Sequence, residues 1–149
     1  MKIILVEPEI PQNTGNIGRL CVAAGVSLVV VGPTGFLIDD KRLKRAGMDY
    51  WEHLDFTFYP TFEEAKPNFD TENLLLFSPS GKNIYTKGTY SKDSLIVFGK
   101  ESTGLDERIL NEFEDKTYFI PMNKEARSLN LSNSVAIALY EALRQIEKW

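Results

Sequence analysis

The sequence predicts an α/β layer fold built on a parallel sheet. Segments typical of strands alternate along the chain with segments typical of helices, and most of the strand segments are continuously apolar. A strand covered by helices on both faces needs no alternation of polar and apolar residues, so these runs favour parallel pairing. At 149 residues the chain is expected to form one domain, residues 1–149, with no repeats and no linker.

The N-terminal part supplies the first two strands and the first helix. Residues 2–7 and 27–31 are short apolar runs, each typical of a buried strand. Between them, residues 8–18 form a turn-rich segment that is expected to be a loop. A helix then continues to Ala24, because Gly25 is the residue type that favours the left-handed position after a helix.

The middle of the chain alternates in the same way. Thr61 and Glu64 have the spacing of a capping box, which predicts a helix that stops before Pro67. The turn at residues 78–81 separates two further strands. Strands are predicted at residues 56–59, 74–77, 95–98 and 116–120, and short helices at residues 41–46, 49–54 and 106–113.

The C-terminal helix has the clearest pattern. Apolar residues recur at spacings of four, four and three, which places one stripe along the helix; they are Val135, Leu139, Leu143 and Ile146. Asn130 or Ser132 is suited to cap its first turn. The polar residues before this helix either serve only as caps or also face a ligand, and the segment alone leaves both readings open.

Composition excludes several classes of site. Charged residues make up 26% and hydrophobic residues 43% of the chain, which is ordinary for a globular protein. One cysteine, Cys21, permits no internal disulfide and no thiolate metal site, and a single histidine, His53, removes the usual zinc and general-base arrangements. No apolar run is long enough for a signal peptide or a membrane span. We therefore expect a cytoplasmic, metal-free protein.

Three loops follow predicted strands and contain most of the small polar residues. They span residues 7–19, 99–108 and 121–133. In a parallel sheet, loops that follow strands meet at one edge, so the three could share a ligand site. Residues 99–104 have the glycine spacing of a P-loop but lack the following Lys-Ser/Thr, and residues 15–18 lack the first glycine of a dinucleotide fingerprint. Neither ATP nor a dinucleotide is supported.

The same loops carry a resemblance that covers the whole chain in order. NTGNIGR at residues 13–19, FGKESTGL at 98–105, and IPM at 120–122 followed by SLNLSN at 128–133 resemble the three motifs of the SPOUT RNA methyltransferases. With PEIPQNTGNIGRLC at residues 8–21 and DDKRLKRAGMDY at 39–50, the chain is most similar to the small single-domain tRNA (cytidine/uridine wobble position) 2′-O-methyltransferases.

The resemblance implies a fold, a cofactor and a partner. The expected fold is a Rossmann-like parallel sheet flanked by helices, with a C-terminal trefoil knot that binds S-adenosyl-L-methionine as methyl donor. Family members are homodimers whose site is completed across the interface. The implied reaction is methyl transfer to the ribose 2′-OH of the wobble nucleotide in a tRNA anticodon stem-loop.

The resemblance also assigns roles to residues. Arg19 matches the arginine of the first motif, placed at the ribose. Because a guanidinium stays protonated at neutral pH, Arg19 is expected to hold the RNA phosphate and hydroxyl while that phosphate or water assists proton loss. Glu101 could complement the sulfonium charge or bond to loop N–H groups. Cofactor binding is expected at Phe77, Gly99, Glu101, Gly104, Ile120, Met122, Ser128, Leu129 and Asn133.

RNA contacts are expected at a basic patch in the middle of the chain. Arg42, Lys44 and Arg45 are suited to contact phosphates of the stem-loop, although a run of charges is often a solvated face. Tyr140 interrupts an aliphatic stripe and is expected either to contact RNA or the dimer partner, or simply to pack. Methylation of another RNA such as ribosomal RNA, a noncatalytic RNA-binding module, and an α/β enzyme for a different small ligand remain as alternatives.

Overall fold

A seven-stranded, all-parallel sheet forms the centre of the computed structural model, which describes residues 1–38 and 51–147. The strand order is β3-β2-β1-β6-β4-β7-β5, and every neighbouring pair runs parallel. The strands are β1 (Lys2–Val6), β2 (Ser27–Val31), β3 (Phe56–Tyr59), β4 (Leu74–Phe77), β5 (Asn83–Ile84), β6 (Leu95–Phe98) and β7 (Thr117–Phe119).

Helices cover both faces of the sheet in the described part of the chain. Two long helices, α1 and α4, contact each other on one face, and two short ones, α2 and α3, contribute to the other. The helices are α1 (Pro11–Ala24), α2 (Phe62–Ala65), α3 (Glu107–Glu112) and α4 (Leu131–Glu147). Single 3₁₀ turns lie between several of these elements.

Two apolar clusters hold the layers together. Since successive side chains of a strand point to opposite faces, Ile3 and Leu5 of β1 pack toward α1 and α4, whereas Ile4 and Val6 pack in the second cluster. Ile3, Ile4 and Leu5 are fully buried. The continuous apolar runs of the central strands are thus explained by burial on both faces, and the α/β parallel-sheet prediction is confirmed.

The predicted loop before the first helix is wrong for most of its length. Residues 11–18 are helical, because α1 begins at Pro11, whose missing N–H costs nothing in the first turn. Gly18 is accommodated because it packs against another segment: a Cβ there would lie 3.3 Å from carbons of both Trp51 and Leu54. The helix ends as predicted, with Gly25 at a φ of 66°.

Other boundaries agree closely with the sequence. Thr61 caps α2 by accepting from the N–H of Glu64, and Asp106 caps α3 in the same way from Arg108. The strand β5 was not predicted, because it has only two residues. The predicted helix at residues 41–46 lies outside the described residues, as do the first two residues of the predicted helix at 49–54; Trp51–His53 forms a 3₁₀ turn.

The last strand, β7, lies between β4 and β5, although it follows both in the chain. The turn that joins β4 to β5 packs directly on β7: Ser78 donates its N–H to the Tyr118 carbonyl at 3.0 Å, and Lys82 donates to the Thr117 hydroxyl at 3.0 Å. A Cβ on Gly81 would lie only 2.4 Å from the Tyr118 carbonyl carbon. Close passage of the two segments therefore requires glycine at residue 81.

Neither a membrane-crossing helix nor a cluster of metal ligands occurs in the part of the chain that the structure describes. Over residues 1–38 and 51–147, no helix is long and apolar enough to span a bilayer. In the same residues, no group of three or more histidine, cysteine, aspartate or glutamate side chains is placed to hold a metal ion.

Candidate functional site

A pocket of about 500 Å³ opens at the carboxyl ends of β4, β6 and β7. Its walls come from the loops that follow these three strands and from the first turn of α1. This is the edge at which an open α/β sheet binds its ligand, and the volume lies in the range of small-molecule and cofactor sites. The start of α1 and the polar loops after β6 and β7 therefore meet in one cavity, which agrees with the shared site expected for residues 7–19, 99–108 and 121–133.

Aromatic side chains form the inner wall of this pocket. Phe77 at the end of β4 stacks on Phe98 at the end of β6, with ring centroids 4.8 Å apart, and Tyr118 of β7 lies 6.2 Å from Phe77. Both phenylalanines are nearly completely buried. Burial raises the pKa of the Tyr118 phenol, so its hydroxyl is neutral at physiological pH. The wall is suited to an apolar or aromatic ligand group.

The loop after β6 folds back on itself around two glycines. A Cβ on Gly99 would lie 2.1 Å from the Gly104 carbonyl carbon, and Gly104 has a φ of 76°. Both glycines are thus required by the loop's own turn. Beside them, Lys100 forms an ion pair with Glu7 at 2.7 Å, which raises the pKa of the lysine.

Glu101 joins this loop to the start of α1. Its carboxylate accepts hydrogen bonds from the backbone N–H groups of Glu9 (2.7 Å) and Ile10 (3.3 Å) and from the side-chain amide of Asn13 (2.9 Å). Of the two roles considered for Glu101, the bond to loop N–H groups is the one observed. In return, the Glu9 carboxylate accepts from the N–H and hydroxyl of Ser102, which lowers its pKa.

A second bond extends this network to the third loop. The Asn13 side-chain oxygen accepts from the side-chain amide of Asn130 at 3.0 Å, and Asn13 is only 5% exposed. Asn130 in turn accepts from the N–H groups of Ser132 (2.9 Å) and Asn133 (3.3 Å) and so caps α4. Glu101, Asn13 and Asn130 thereby connect the loop after β6, the first turn of α1 and the loop after β7. Asn13 and Asn130 were not among the predicted site residues.

Eight of the nine residues expected to bind a cofactor line the pocket. They are Phe77, Gly99, Glu101, Gly104, Ile120, Met122, Ser128 and Leu129. Asn133 does not line it and lies in the first turn of α4, where its N–H donates to Asn130. The side chain of Phe77 is part of the aromatic wall.

Of the residues expected at the RNA, Arg19 and Tyr140 are described, and neither lines the pocket. Arg19 is exposed on α1, six residues after Asn13, and Tyr140 is 46% exposed on α4. Arg42, Lys44 and Arg45 lie outside the described residues. Arg127 lines the pocket but was missed by the sequence argument, although its position next to Ser128 in the third motif would have identified it.

A family match and the similarity to individual proteins both indicate an RNA methyltransferase family. The SpoU rRNA Methylase family matches residues 1–140. A protein of Geobacillus stearothermophilus, provisionally named as a tRNA (cytidine(34)-2′-O)-methyltransferase, is 42% identical over 148 residues, covering 97% of this chain and 94% of the relative. The tRNA (cytidine(34)-2′-O)-methyltransferase of Methylovorus glucosotrophus is 40% identical over 144 residues, covering 96% of this chain and 94% of the relative.

Solved structures agree. One that is described as giving structural insights into the 2-OH methylation of C/U34 on tRNA superposes with a TM-score of 0.93 at 38% identity, covering 99% of this chain and 97% of the other. The SpoU methyltransferase AviRb of Streptomyces viridochromogenes, in complex with AdoMet, gives a TM-score of 0.84 at 26% identity, covering 97% of this chain and 57% of AviRb. The protein belongs to the SpoU rRNA Methylase family.

Proposed function

We propose that this protein transfers a methyl group from S-adenosyl-L-methionine to the ribose 2′-OH of the wobble nucleotide, cytidine or uridine, in the tRNA anticodon loop. The observation that carries the proposal is full-length similarity, at 40% identity or more, to proteins named for methylation of cytidine 34. The structure described for C/U34 methylation has the same fold over nearly the whole chain.

The pocket fits S-adenosyl-L-methionine in size and chemistry. Its volume of about 500 Å³ suits a ligand of that size, and the aromatic wall of Phe77, Phe98 and Tyr118 suits an adenine ring. The cofactor supplies an electrophilic methyl group on its sulfonium when bound. Phe77, Gly99, Glu101, Gly104, Ile120, Met122, Ser128 and Leu129 form the proposed cofactor site, with Asn133 adjacent to it through Asn130.

Arg19 is the proposed catalytic residue. Methyl transfer to a hydroxyl requires in-line placement of the nucleophile and removal of its proton. A guanidinium is a poor base but a good donor to phosphate, so Arg19 holds the acceptor phosphate and the 2′-OH in place while that phosphate or water receives the proton. Its exposed position on α1 leaves it accessible to RNA.

The placement of Arg19 favours a site shared between two subunits. Six helical residues separate it from Asn13, which corresponds to about 9 Å along the axis and about 240° around it. Asn13 lines the pocket of its own chain, so Arg19 projects elsewhere. We propose that the protein forms a homodimer in which Arg19 of one subunit contributes to the pocket of the other. Each subunit is proposed to be a single domain over residues 1–149.

Three further expectations remain part of the proposal. The C-terminal part is proposed to form a trefoil knot, which is supported by the late insertion of β7 between β4 and β5 and by its contact with Gly81. The RNA surface is proposed to include Arg42, Lys44, Arg45 and Tyr140. A tRNA-modifying enzyme of this kind is expected to work in the cytoplasm.

Methyl transfer from labelled S-adenosyl-L-methionine to bulk tRNA tests the function, with the modified nucleoside identified and mapped by mass spectrometry. A 2′-O-methylated pyrimidine at position 34 is the expected product. Arg19→Ala should reduce transfer by about 10²- to 10⁴-fold while leaving affinity for S-adenosylhomocysteine unchanged. Label in ribosomal RNA alone, or no binding of S-adenosylhomocysteine to the unaltered protein, would contradict the proposal.

A further inference from the structure

Among the residues that the structure describes, the charged side chains at the pocket are held by partners with one exception. Within residues 1–38 and 51–147, the charged residues that line the pocket are Lys100, Glu101 and Arg127. Lys100 is paired with Glu7 at 2.7 Å, and Glu101 accepts three hydrogen bonds from the start of α1. Arg127 is exposed and makes no hydrogen bond or ion pair with any residue in 1–38 or 51–147. Arg127 is therefore the charged lining residue whose hydrogen-bonding groups are not used by any described residue.

The backbone around Arg127 is anchored on both sides. Before it, the Ala126 N–H donates to the Asn123 carbonyl at 3.0 Å and closes a turn. After it, Asn130 is fixed by its bond to Asn13 and by its capping bonds to α4. The backbone that carries Arg127 is thus held beside the pocket, and its exposed guanidinium offers five N–H donors. Lys124, on the same loop, is also exposed but does not line the pocket.

We propose that Arg127 binds a phosphodiester of the substrate RNA next to the ribose that is methylated. A guanidinium matches the geometry of a phosphate with two parallel donors, and an anchored backbone reduces the entropy that binding costs. The carboxylate of S-adenosyl-L-methionine offers the same oxyanion chemistry. The exposure of Arg127 favours RNA, because a macromolecule approaches the pocket from the solvent side. This inference rests on the proposed function.

The experiment compares Arg127→Ala and Arg127→Lys with Lys124→Ala as the control on the same loop. Affinity for unmodified tRNA is measured by filter binding with S-adenosylhomocysteine present, over a range of salt concentrations. Arg127→Ala should weaken tRNA binding about tenfold and reduce the slope of log affinity against log salt by about 0.7. Arg127→Lys should restore the slope but only part of the affinity, and Lys124→Ala should change affinity by less than about twofold.

Calorimetric titration with two small ligands identifies the oxyanion. S-adenosylhomocysteine carries the carboxylate, whereas 5′-methylthioadenosine lacks it, and the affinities of both should be the same in Arg127→Ala as in the unaltered protein. Loss of S-adenosylhomocysteine affinity alone, with tRNA affinity and 5′-methylthioadenosine affinity intact, would assign Arg127 to the cofactor and overturn the inference. Unchanged affinities for all three ligands would also overturn it.

Transfer by the unaltered protein is assayed in parallel. If it binds tRNA but transfers no methyl group, the proposed function fails, and the tRNA affinity of Arg127→Ala still decides the role of this residue. If the unaltered protein transfers methyl groups and Arg127→Ala binds tRNA equally well, only the present inference fails.

Discussion

The two long helices begin in different ways, although both begin at the pocket. The first turn of α4 is capped by its own N-terminal neighbour, Asn130, at 2.9 Å from the Ser132 N–H. In α1 the capping residue is Ile10, which has no side-chain acceptor. The N–H groups of Glu9 and Ile10 donate instead to Glu101, more than 90 residues further along the chain.

The backbone N–H groups at the start of α4 find their acceptor in a neighbouring residue, whereas those at the start of α1 find it in a residue that is distant in sequence. A capping box uses a glutamate within the first turn to accept from the N–H of the capping residue. At α1 that position is occupied by Asn13, which bonds to Glu101 and to Asn130. The carboxylate also lies at the positive end of the α1 dipole. The start of α1 is therefore stabilised by the loop after β6, so this part of the site depends on a tertiary contact.

The largest effect on stability should come from Glu101→Ala. Loss of three hydrogen bonds to a carboxylate should lower the free energy of unfolding by about 2 to 3 kcal/mol, because two N–H groups and one amide lose their acceptor. Urea denaturation measures this, and calorimetry should show about tenfold weaker binding of S-adenosylhomocysteine. Glu107→Ala, which removes an exposed carboxylate outside the pocket, serves as the control. Equal stability of the two variants would refute the long-range cap.

A smaller loss is expected for Asn130→Ala. It removes the local cap of α4 together with the bond to Asn13, which should cost about 1 to 2 kcal/mol. Asp106→Ala is the matched comparison, since it removes the cap of α3 and should cost about 1 kcal/mol without changing affinity for S-adenosylhomocysteine. A double-mutant cycle of Glu101→Ala with Asn130→Ala should be non-additive, because both bond to Asn13. Strict additivity would show that the two caps are independent.

The buried faces of α1 and α4 also differ, because only that of α1 contains an ionisable thiol. The stability of the protein at alkaline pH should show this difference. Burial raises the pKa of the Cys21 thiol in α1 to about 12, whereas the buried residues of α4 are all apolar. The thiol of the unfolded chain loses its proton near pH 8.5, so above that pH the unfolded state binds fewer protons than the folded state. Stability that is complete below pH 8.5 is then lost as pH rises toward 12.

The Cys21 contribution should amount to about 1 kcal/mol between pH 8.5 and 9.5. Urea denaturation of the unaltered protein and of Cys21→Ala over this interval measures it, because groups such as Tyr90, whose pKa burial also raises, titrate in both proteins. The unaltered protein should lose more stability than the variant. Parallel pH profiles would mean that Cys21 ionises as readily in the folded as in the unfolded protein.

The same contrast explains what the sequence could predict. Continuous apolar strands and the capping pair Thr61 and Glu64 are local patterns, and the structure confirms them. Of the two residues suited to cap the C-terminal helix, Asn130 and Ser132, the structure shows Asn130 as the cap. The start of α1 was placed too late, because its partner Glu101 is distant in sequence. The two-residue strand β5 carries no periodicity at all, and the insertion of β7 beside it depends on contacts that no local pattern encodes.

The site, like the fold, was predicted in part from the sequence, and the rest depends on contacts between residues that are distant in sequence. The resemblance placed eight residues in the pocket, whereas the hydrogen bonds of Asn13 and Asn130 that hold the site together were found only in the structure. Arg127 depends on both kinds of information. The sequence places it between the two parts of the third motif, but its proposed role follows only from the structure, in which it lines the pocket and Lys100 is paired with Glu7.

Position-resolved analysis of tRNA from cells that lack this gene tests the central claim most directly. The 2′-O-methyl group on the pyrimidine at position 34 should be absent, should return when the unaltered gene is restored, and should stay absent with Arg19→Ala produced at the same level. Methylation at position 34 that persists in cells without the gene, or that Arg19→Ala restores fully, would contradict the account.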